Sequence, residues 1–120
     1  MKKIQLAEGE KKFADLIWEN EPIGSGELVR LAEETLQWKK STTYTVLKKV
    51  CDRGLFQNQN AVVTSLMSKE AYYQEKSKQF VTDVFGGSLP KFLTAFMGGK
   101  HLSREEAEEL QKLIDTYQEE

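Results

Sequence analysis

A chain of 120 residues and 13.8 kDa has room for one ordinary domain or two small ones, and it is too short for a dinucleotide-binding unit with a catalytic partner domain or for a barrel enzyme. Its net charge of −2 argues against a histone-like or ribosomal protein and against a strongly basic membrane-surface binder. One cysteine and one histidine exclude a disulfide framework and a protein-only zinc site, so we expect no metal and no cofactor. The sequence lacks an apolar run of membrane-span length, and its opening MKKIQLAEGE lacks a signal-peptide stretch, so we expect a cytoplasmic protein that binds no lipid membrane.

Three helices are predicted in the first half of the chain. Apolar residues recur at helical spacing from Leu6 to Asn20, and Glu21-Pro22-Ile23-Gly24 then breaks this first helix. Ser25 is the predicted cap of a second helix, which ends near Leu36. A polar link leads to a third helix in STTYTVLKKVCDRG, where Gly54 stands at the position of a terminating glycine.

A β-hairpin is predicted directly after the third helix, because Leu55-Phe56 and Ala61 to Leu66 read as short strands around the polar tip Gln57 to Asn60. Past Met67 the pattern becomes helical throughout. A long helix capped by Ser68 ends at Gly86-Gly87, and a short helix follows from about Leu89 to Met97. A last helix opens with a capping box at Ser103 to Glu106. We therefore predict two domains, residues 1–67 and 68–120.

The charge is unevenly distributed along the chain. Between Trp38 and Gly54 there are five basic residues and one acidic residue, whereas positions 101–120 hold two basic and seven acidic residues. The basic segment also contains the chain's Ser/Thr cluster. The outward face of the third helix, placed by helical spacing opposite its apolar stripe, consists of Ser41, Thr42, Thr45 and Lys48 or Lys49, with Tyr44 beside it.

The order of two linked helices, a basic and hydroxyl-rich third helix and a hairpin is typical of a winged helix-turn-helix. Such a fold presents its third helix to the DNA major groove, where short hydroxyl side chains reach bases and lysines neutralise phosphates. The predicted fold class is mostly α with a small β-hairpin wing. The serines and threonines could instead merely begin a solvated helix, and a scaffold of this kind could serve as a protein-interaction module without DNA.

The segments LAEGEKKFADLIWEN and WKKSTTYTVLKKVCDRGLF resemble the opening helix and the recognition helix of the BlaI/MecI penicillinase repressors. The similarity continues through KSKQFVTDVFGGSLPKFLTAFMGGKHLSREEAEELQKLID and thus covers nearly the whole chain. The positions in register are Leu6, Glu10, Trp18, Trp38, Thr42, Thr45, Leu47, Lys49, Gly54 and Leu55.

This resemblance implies a homodimeric repressor whose winged domains bind a palindromic double-stranded DNA operator with TACA/TGTA-like half-sites. It adds Lys39 and Lys40 to the DNA face, and Lys39 stands where the family has a capping serine, so the cap is expected to move to Ser41. It also implies that the C-terminal helices form the dimer interface. We assign to this interface Tyr73, Phe80, Val84, Phe85, Leu89, Phe92, Phe96, Leu110, Leu113, Ile114 and Tyr117. The alternative is a small-molecule pocket lined by Tyr73, Phe80, Phe85, Phe92 and Phe96.

Two further expectations come from the resemblance. A membrane-bound sensor protease triggers cleavage before a phenylalanine in related repressors, and the matching bond here is Ala95–Phe96. Because those relatives have asparagine before the bond, we prefer a dimer-core role for Phe96. The hairpin tip Gln57 to Asn60 has none of the basic residues usual in the family's wing, so weak minor-groove or phosphate contact is expected there.

Overall fold

The computed structural model describes residues 5–119, in which six helices accompany a small antiparallel sheet. The elements in chain order are α1 Glu8–Asn20, β1 Ile23–Gly24, α2 Ser25–Leu36, α3 Lys40–Asp52, β2 Phe56–Gln59, β3 Val62–Ser65, α4 Lys69–Phe85, α5 Leu89–Met97 and α6 Arg104–Tyr117. This arrangement confirms the predicted fold class, a mostly helical chain with a winged helix.

The sheet has the order β1-β3-β2, so β3 is the central strand. The hairpin pairs Phe56 with Ser65 and Gln59 with Val62. β1 pairs Ile23 with Val63. The sequence indicated only a helix break at residues 21–24, because a two-residue strand has no periodicity and forms only through its distant partner.

Several predicted details are corrected by the structure. α1 begins at Glu8 rather than Leu6, with the Glu10 carboxylate accepting a hydrogen bond from the Ala7 backbone N–H at 2.8 Å. Ser25 is not the cap of α2 but its first residue; it is buried, and Gly24 takes the cap position. The hairpin turns at Asn60-Ala61, where both residues have positive φ, rather than over Gln57 to Asn60.

The predicted serine caps of α4 and α6 and the glycines predicted to end α3 and α4 are confirmed. The Ser68 hydroxyl accepts from the Ala71 N–H at 3.1 Å, and the Ser103 hydroxyl accepts from the Glu106 N–H at the same distance. Gly54, Gly86 and Gly87 all have positive φ beyond the ends of α3 and α4, where a side chain would be strained.

The core of the first half gathers apolar side chains from α1, α2, α3, the hairpin and the first turns of α4. Phe13, Ile17, Leu28 and Val50 are fully buried, and they join one side of each helix to the inner face of the sheet. The Trp18 ring packs at a tilt against Phe56 and Tyr72, with ring centroids 5.3 and 5.4 Å away, and its indole N–H donates to the Met67 carbonyl at 3.0 Å. These contacts fix the platform that presents α3.

The chain divides into two compact units, one ending at Phe80 and the other beginning at Val81. The predicted domains, 1–67 and 68–120, also include positions 1–4 and 120, which lie outside the described residues. That division remains a prediction. Within the second unit, the rings of Phe85 and Phe92 lie 5.5 Å apart, and those of Phe92 and Phe96 lie 5.9 Å apart.

Candidate nucleic-acid interface

One side of α3 is buried and holds the helix on the core. Thr43 and Val50 are fully buried and Leu47 is nearly so, while Val46 is partly buried against the same cluster. Because the buried positions recur at three and four residues, the side chains on the opposite side of the helix must point outward.

The outward side of α3 and the cap position before it contain every residue predicted to contact DNA. Their side chains are all exposed, and they are Lys39, Lys40, Ser41, Thr42, Tyr44, Thr45, Lys48 and Lys49. The side combines short hydroxyls, one aromatic ring and four ammonium groups, which are donors suited to phosphate oxygens and to base edges.

The threonine hydroxyls of α3 differ in whether they can contact an external partner. Thr45 donates its hydroxyl hydrogen to the Ser41 carbonyl at 2.9 Å, so its methyl group and oxygen lone pairs remain for an external partner. The buried Thr43 donates in the same way to the Lys39 carbonyl at 3.2 Å and takes no part in the outward surface.

The positive charge is concentrated on four lysines. Arg53 belongs to the same basic segment, but its guanidinium contacts Glu10 at 3.2 Å and donates to the Gln5 carbonyl, so its charge is partly compensated. Among the ion pairs of residues 5–119, none involves Lys39, Lys40, Lys48 or Lys49. Their charges are therefore open to an anionic partner.

The turn between α2 and α3 is held by features that the sequence did not indicate. Gln37 ends α2 in the left-handed conformation with φ 57°, and the N–H groups of Gln37 and Trp38 donate back to the last turn of α2. The Trp38 ring stacks on Phe13 at 5.3 Å and anchors the start of α3. Helix-ending left-handed residues are usually glycine, so a glutamine gave no local signal.

The start of α3 is not capped as expected. The helix begins at Lys40 with Lys39 in the cap position, which makes no side-chain capping hydrogen bond, and Ser41 lies inside the first turn. That turn contains no acidic residue. Its backbone N–H groups therefore lie next to exposed lysines, an arrangement that favours anions.

The residues predicted for the dimer interface lie on α4, α5 and α6. Tyr73, Phe80, Val84, Leu89, Phe96, Leu113, Ile114 and Tyr117 are exposed, whereas Phe85, Phe92 and Leu110 are partly buried. Five of them line a groove of about 610 Å³ between α5 and α6, namely Leu89, Leu110, Leu113, Ile114 and Tyr117. Leu93, Met97, Leu102 and Ala107 also line it and were missed, although Leu93 and Met97 follow the helical spacing of α5.

The Ala95–Phe96 bond lies in the last turns of α5, and both residues are exposed. Lys100 lies over the Phe96 ring at 5.3 Å. Elsewhere, burial raises the pKa of the Cys51 thiol, and the nearby Asp52 carboxylate raises it further. Within residues 5–119, no cluster of three or more His, Cys, Asp or Glu side chains is placed to hold a metal ion.

The sequence was compared with known protein families and matches the family model of the penicillinase repressor over residues 6–116. The chain belongs to the penicillinase repressor family. The penicillinase repressor of Bacillus licheniformis is 25% identical in an alignment that covers 98% of this chain and 95% of that protein. Both findings confirm the resemblance seen in the first and third helices.

Membership of the penicillinase repressor family supports a role as a transcriptional repressor, and this is not a family of enzymes. None of the helices described between residues 5 and 119 has the length and apolar character to cross a membrane.

Proposed function

We propose that this repressor acts as a homodimer that binds a palindromic DNA operator with the outward side of α3. The observation that carries the proposal is the exposure of all eight predicted residues, seven on α3 and Lys39 at its cap position, while the opposite side of the helix is buried in the core. A helix has about the right diameter to enter the major groove of B-DNA, which is about 12 Å wide.

Different side chains of α3 would contact the bases and the phosphates. Ser41, Thr42 and Thr45 have short side chains that can approach base edges and the nearest phosphates. Tyr44 can pack its ring on the sugar or on a thymine methyl group. Lys48 and Lys49 neutralise phosphates, as do Lys39 and Lys40 beside the uncapped helix start.

Salt dependence tests the electrostatic part of the proposal. Each neutralised phosphate contributes about −0.9 to the slope of log affinity against log salt concentration. Lys48→Ala should therefore reduce the steepness of that slope by about 0.9 and weaken binding to all sequences alike. Lys12→Ala is the matched control, because Lys12 is exposed on α1 and lies 4.0 Å from Glu8.

The measurement is fluorescence anisotropy of a labelled palindromic duplex with TACA/TGTA half-sites, with a scrambled duplex beside it. Thr45→Ala should reduce the difference in affinity between the two duplexes and leave the salt slope unchanged. A flat salt response of the unmodified protein, or equal affinity for the scrambled duplex, would contradict DNA recognition and favour a protein-interaction module.

The proposed dimer is supported by the apolar surface of the second unit. Leu113, Ile114 and Tyr117 leave more than half of their surface exposed on α6, and soluble monomers rarely leave large connected apolar patches open. A second copy of the chain would cover this groove and present two α3 helices to two half-sites.

Sedimentation velocity tests the dimer. Leu113→Glu should shift the protein from dimer to monomer at micromolar concentration, because it places a charge in the apolar groove. Lys112→Glu is the matched control, since it introduces the same side chain at the neighbouring polar position of α6. A monomeric unmodified protein would contradict the proposal and would favour the groove as a pocket for an apolar small molecule.

The family resemblance implies a second candidate role for this part of α5, namely induction by proteolysis that a membrane-bound sensor protease triggers, as the alternative to the preferred dimer-core role of Phe96. Cleavage at Ala95–Phe96 would separate most of α5 from α6 and weaken dimerisation, and a monomer would contact only half of an operator. Mass spectrometry of the repressor from induced cells should show a fragment that ends at Ala95. An intact chain after full induction would contradict this route and leave Phe96 as an interface residue.

A further inference from the structure

Most serine and threonine hydroxyls of residues 5–119 are already bonded within the fold. Ser65, for example, donates its hydroxyl hydrogen to a carboxylate oxygen of Glu21 at 2.8 Å, and Thr94 donates to a backbone carbonyl of α5 at 2.8 Å. Exposed hydroxyls that have no hydrogen-bond partner in this part of the chain are therefore a small group. They are those of Thr35, Ser41, Thr42 and Thr82.

The charge of the neighbouring residues separates these four hydroxyls into two pairs. Thr35 follows two glutamates, and Thr82 precedes an aspartate. Ser41 and Thr42 instead follow two consecutive exposed lysines, and the first turn of their helix contains no acidic residue. A cationic segment before a hydroxyl is complementary to an enzyme with an acidic substrate cleft, and protein kinases use such charge patterns to select their substrates.

Ser41 is the more accessible member of the lysine-flanked pair. The first backbone hydrogen bond of α3 runs from the Thr43 N–H to the Lys39 carbonyl at 3.0 Å, and no side chain caps this end of the helix. Opening the helix as far as Ser41 therefore breaks few hydrogen bonds, and such end turns open at low free energy. Thr42 adjoins the fully buried Thr43, so the same opening there would pull a side chain out of the core.

We propose that Ser41 is the phosphorylation site of a serine/threonine kinase that recognises basic residues, and that its phosphate releases the repressor from DNA. This inference rests on the proposed function of α3. In the reaction the Ser41 Oγ attacks the γ-phosphorus of ATP, and the hydroxyl proton passes to a base of the kinase. A new Oγ–P bond forms while the bond from the γ-phosphorus to the bridging oxygen breaks, so ADP leaves.

The phosphate acts through charge on the side of α3 that faces DNA. It adds about 1.5 to 2 negative charges at neutral pH, which compensates about two of the four exposed lysines. Between 1 and 0.1 M salt, a slope of about 0.9 per phosphate contact corresponds to about eightfold in affinity, so two lost contacts correspond to about sixtyfold. The free N–H groups of the first turn favour an anion, so the modified helix stays folded.

Mapping of phosphate on the folded full-length protein tests the site. The protein is incubated with magnesium ATP and an extract of the cells that produce it, in the presence of phosphatase inhibitors, and is then analysed by mass spectrometry. Phosphate should be found on Ser41 and should be lost from that peptide in Ser41→Ala. Thr35 and Thr82 are internal controls that should stay unmodified, because acidic residues flank them. Absence of phosphate from Ser41, whether or not other residues carry it, would overturn the inference.

Fluorescence anisotropy with the palindromic duplex at 0.1 M salt tests the effect of the phosphate. The full-length protein with phosphoserine incorporated at position 41 is compared with Ser41→Asp and Ser41→Asn, which differ from each other by one charge at nearly equal size. Relative to Ser41→Asn, affinity should fall by about eightfold for Ser41→Asp and by about sixtyfold for the phosphorylated protein. The salt slopes should become shallower by about 0.9 and 1.8.

The outcomes separate this inference from the proposed function. Equal affinity of the phosphorylated protein and Ser41→Asn would overturn the inference alone. A urea midpoint of the phosphorylated protein below that of the unmodified protein would show that binding is lost through unfolding, and it would overturn the charge mechanism. If the unmodified protein binds operator and scrambled duplex equally, the proposed function fails, whatever the phosphate mapping shows.

Discussion

Replacing Ala61 by glycine should stabilise the protein, because Ala61 occupies a conformation that suits glycine. Its φ is 61°, it follows Asn60 at φ 52°, and the tight hairpin turn requires both values. The methyl group of Ala61 is exposed, so its removal loses little packing. The perturbation therefore acts almost entirely on backbone conformation.

The expected magnitude follows from two opposing contributions. The left-handed conformation costs an L-residue about 1–2 kcal/mol, which glycine avoids. Glycine in turn loses more backbone freedom on folding, at about 0.4–1 kcal/mol. The net increase in the free energy of unfolding for Ala61→Gly is then about 0.5–1 kcal/mol.

Gly54→Ala makes the reverse substitution of Ala61→Gly at another position with positive φ. Gly54 has φ 81°, and no atom lies within 4 Å of the position that a Cβ would take, so the variant introduces backbone strain without a clash. It should lower the free energy of unfolding by about 0.5–1 kcal/mol through the same two contributions.

Urea unfolding monitored by the fluorescence of Trp18 and Trp38 measures both changes, because both residues pack against the core of the first unit. All variants are compared at one protein concentration, since dimerisation would stabilise the folded chain. The denaturant midpoints should move in opposite directions with an unchanged m-value. Destabilisation by Ala61→Gly, or a shift of both variants in the same direction, would refute the conformational argument.

Two further substitutions test contacts in the first unit and at the start of the last helix, and one chemical-modification experiment tests the thiol of Cys51. Trp18→Phe removes the indole donor to the Met67 carbonyl and should cost about 1–2 kcal/mol in urea unfolding; no loss would show that water replaces this bond. Ser103→Ala removes the cap of α6 and should cost about 1 kcal/mol, with Ser77→Ala, at an exposed position within α4, as a control. The raised pKa of Cys51 keeps its thiol protonated at neutral pH, so a disulfide reagent should modify this thiol in the folded protein more slowly than in the urea-unfolded chain. The rate of modification should rise with pH. Equal rates for the folded and the unfolded chain would contradict this protection.

The candidate interface was largely predictable because its signals are local. Hydroxyl and lysine residues opposite the stripe of Val46, Leu47 and Val50 had to be exposed once α3 was helical. The details around it were not predictable. The anchoring of Trp38 on Phe13 and the left-handed Gln37 depend on side chains and turns that no spacing rule identifies.

The sequence by itself determined the helices, the glycines after α3 and α4, the serine caps of α4 and α6, and the polarity of α3, since caps and periodicity act over a few residues. The register of β2 against β3 places the hairpin turn at Asn60-Ala61. Only the tertiary structure decided that Ile23 and Gly24 form a third strand, because this pairing joins residues about 40 positions apart. It also decided that the Gln57 amide of the hairpin is used internally, as a donor to the Thr64 hydroxyl. Composition and charge placed the proposed DNA surface on α3, and the fold added an uncharged hairpin tip fixed to the start of α2.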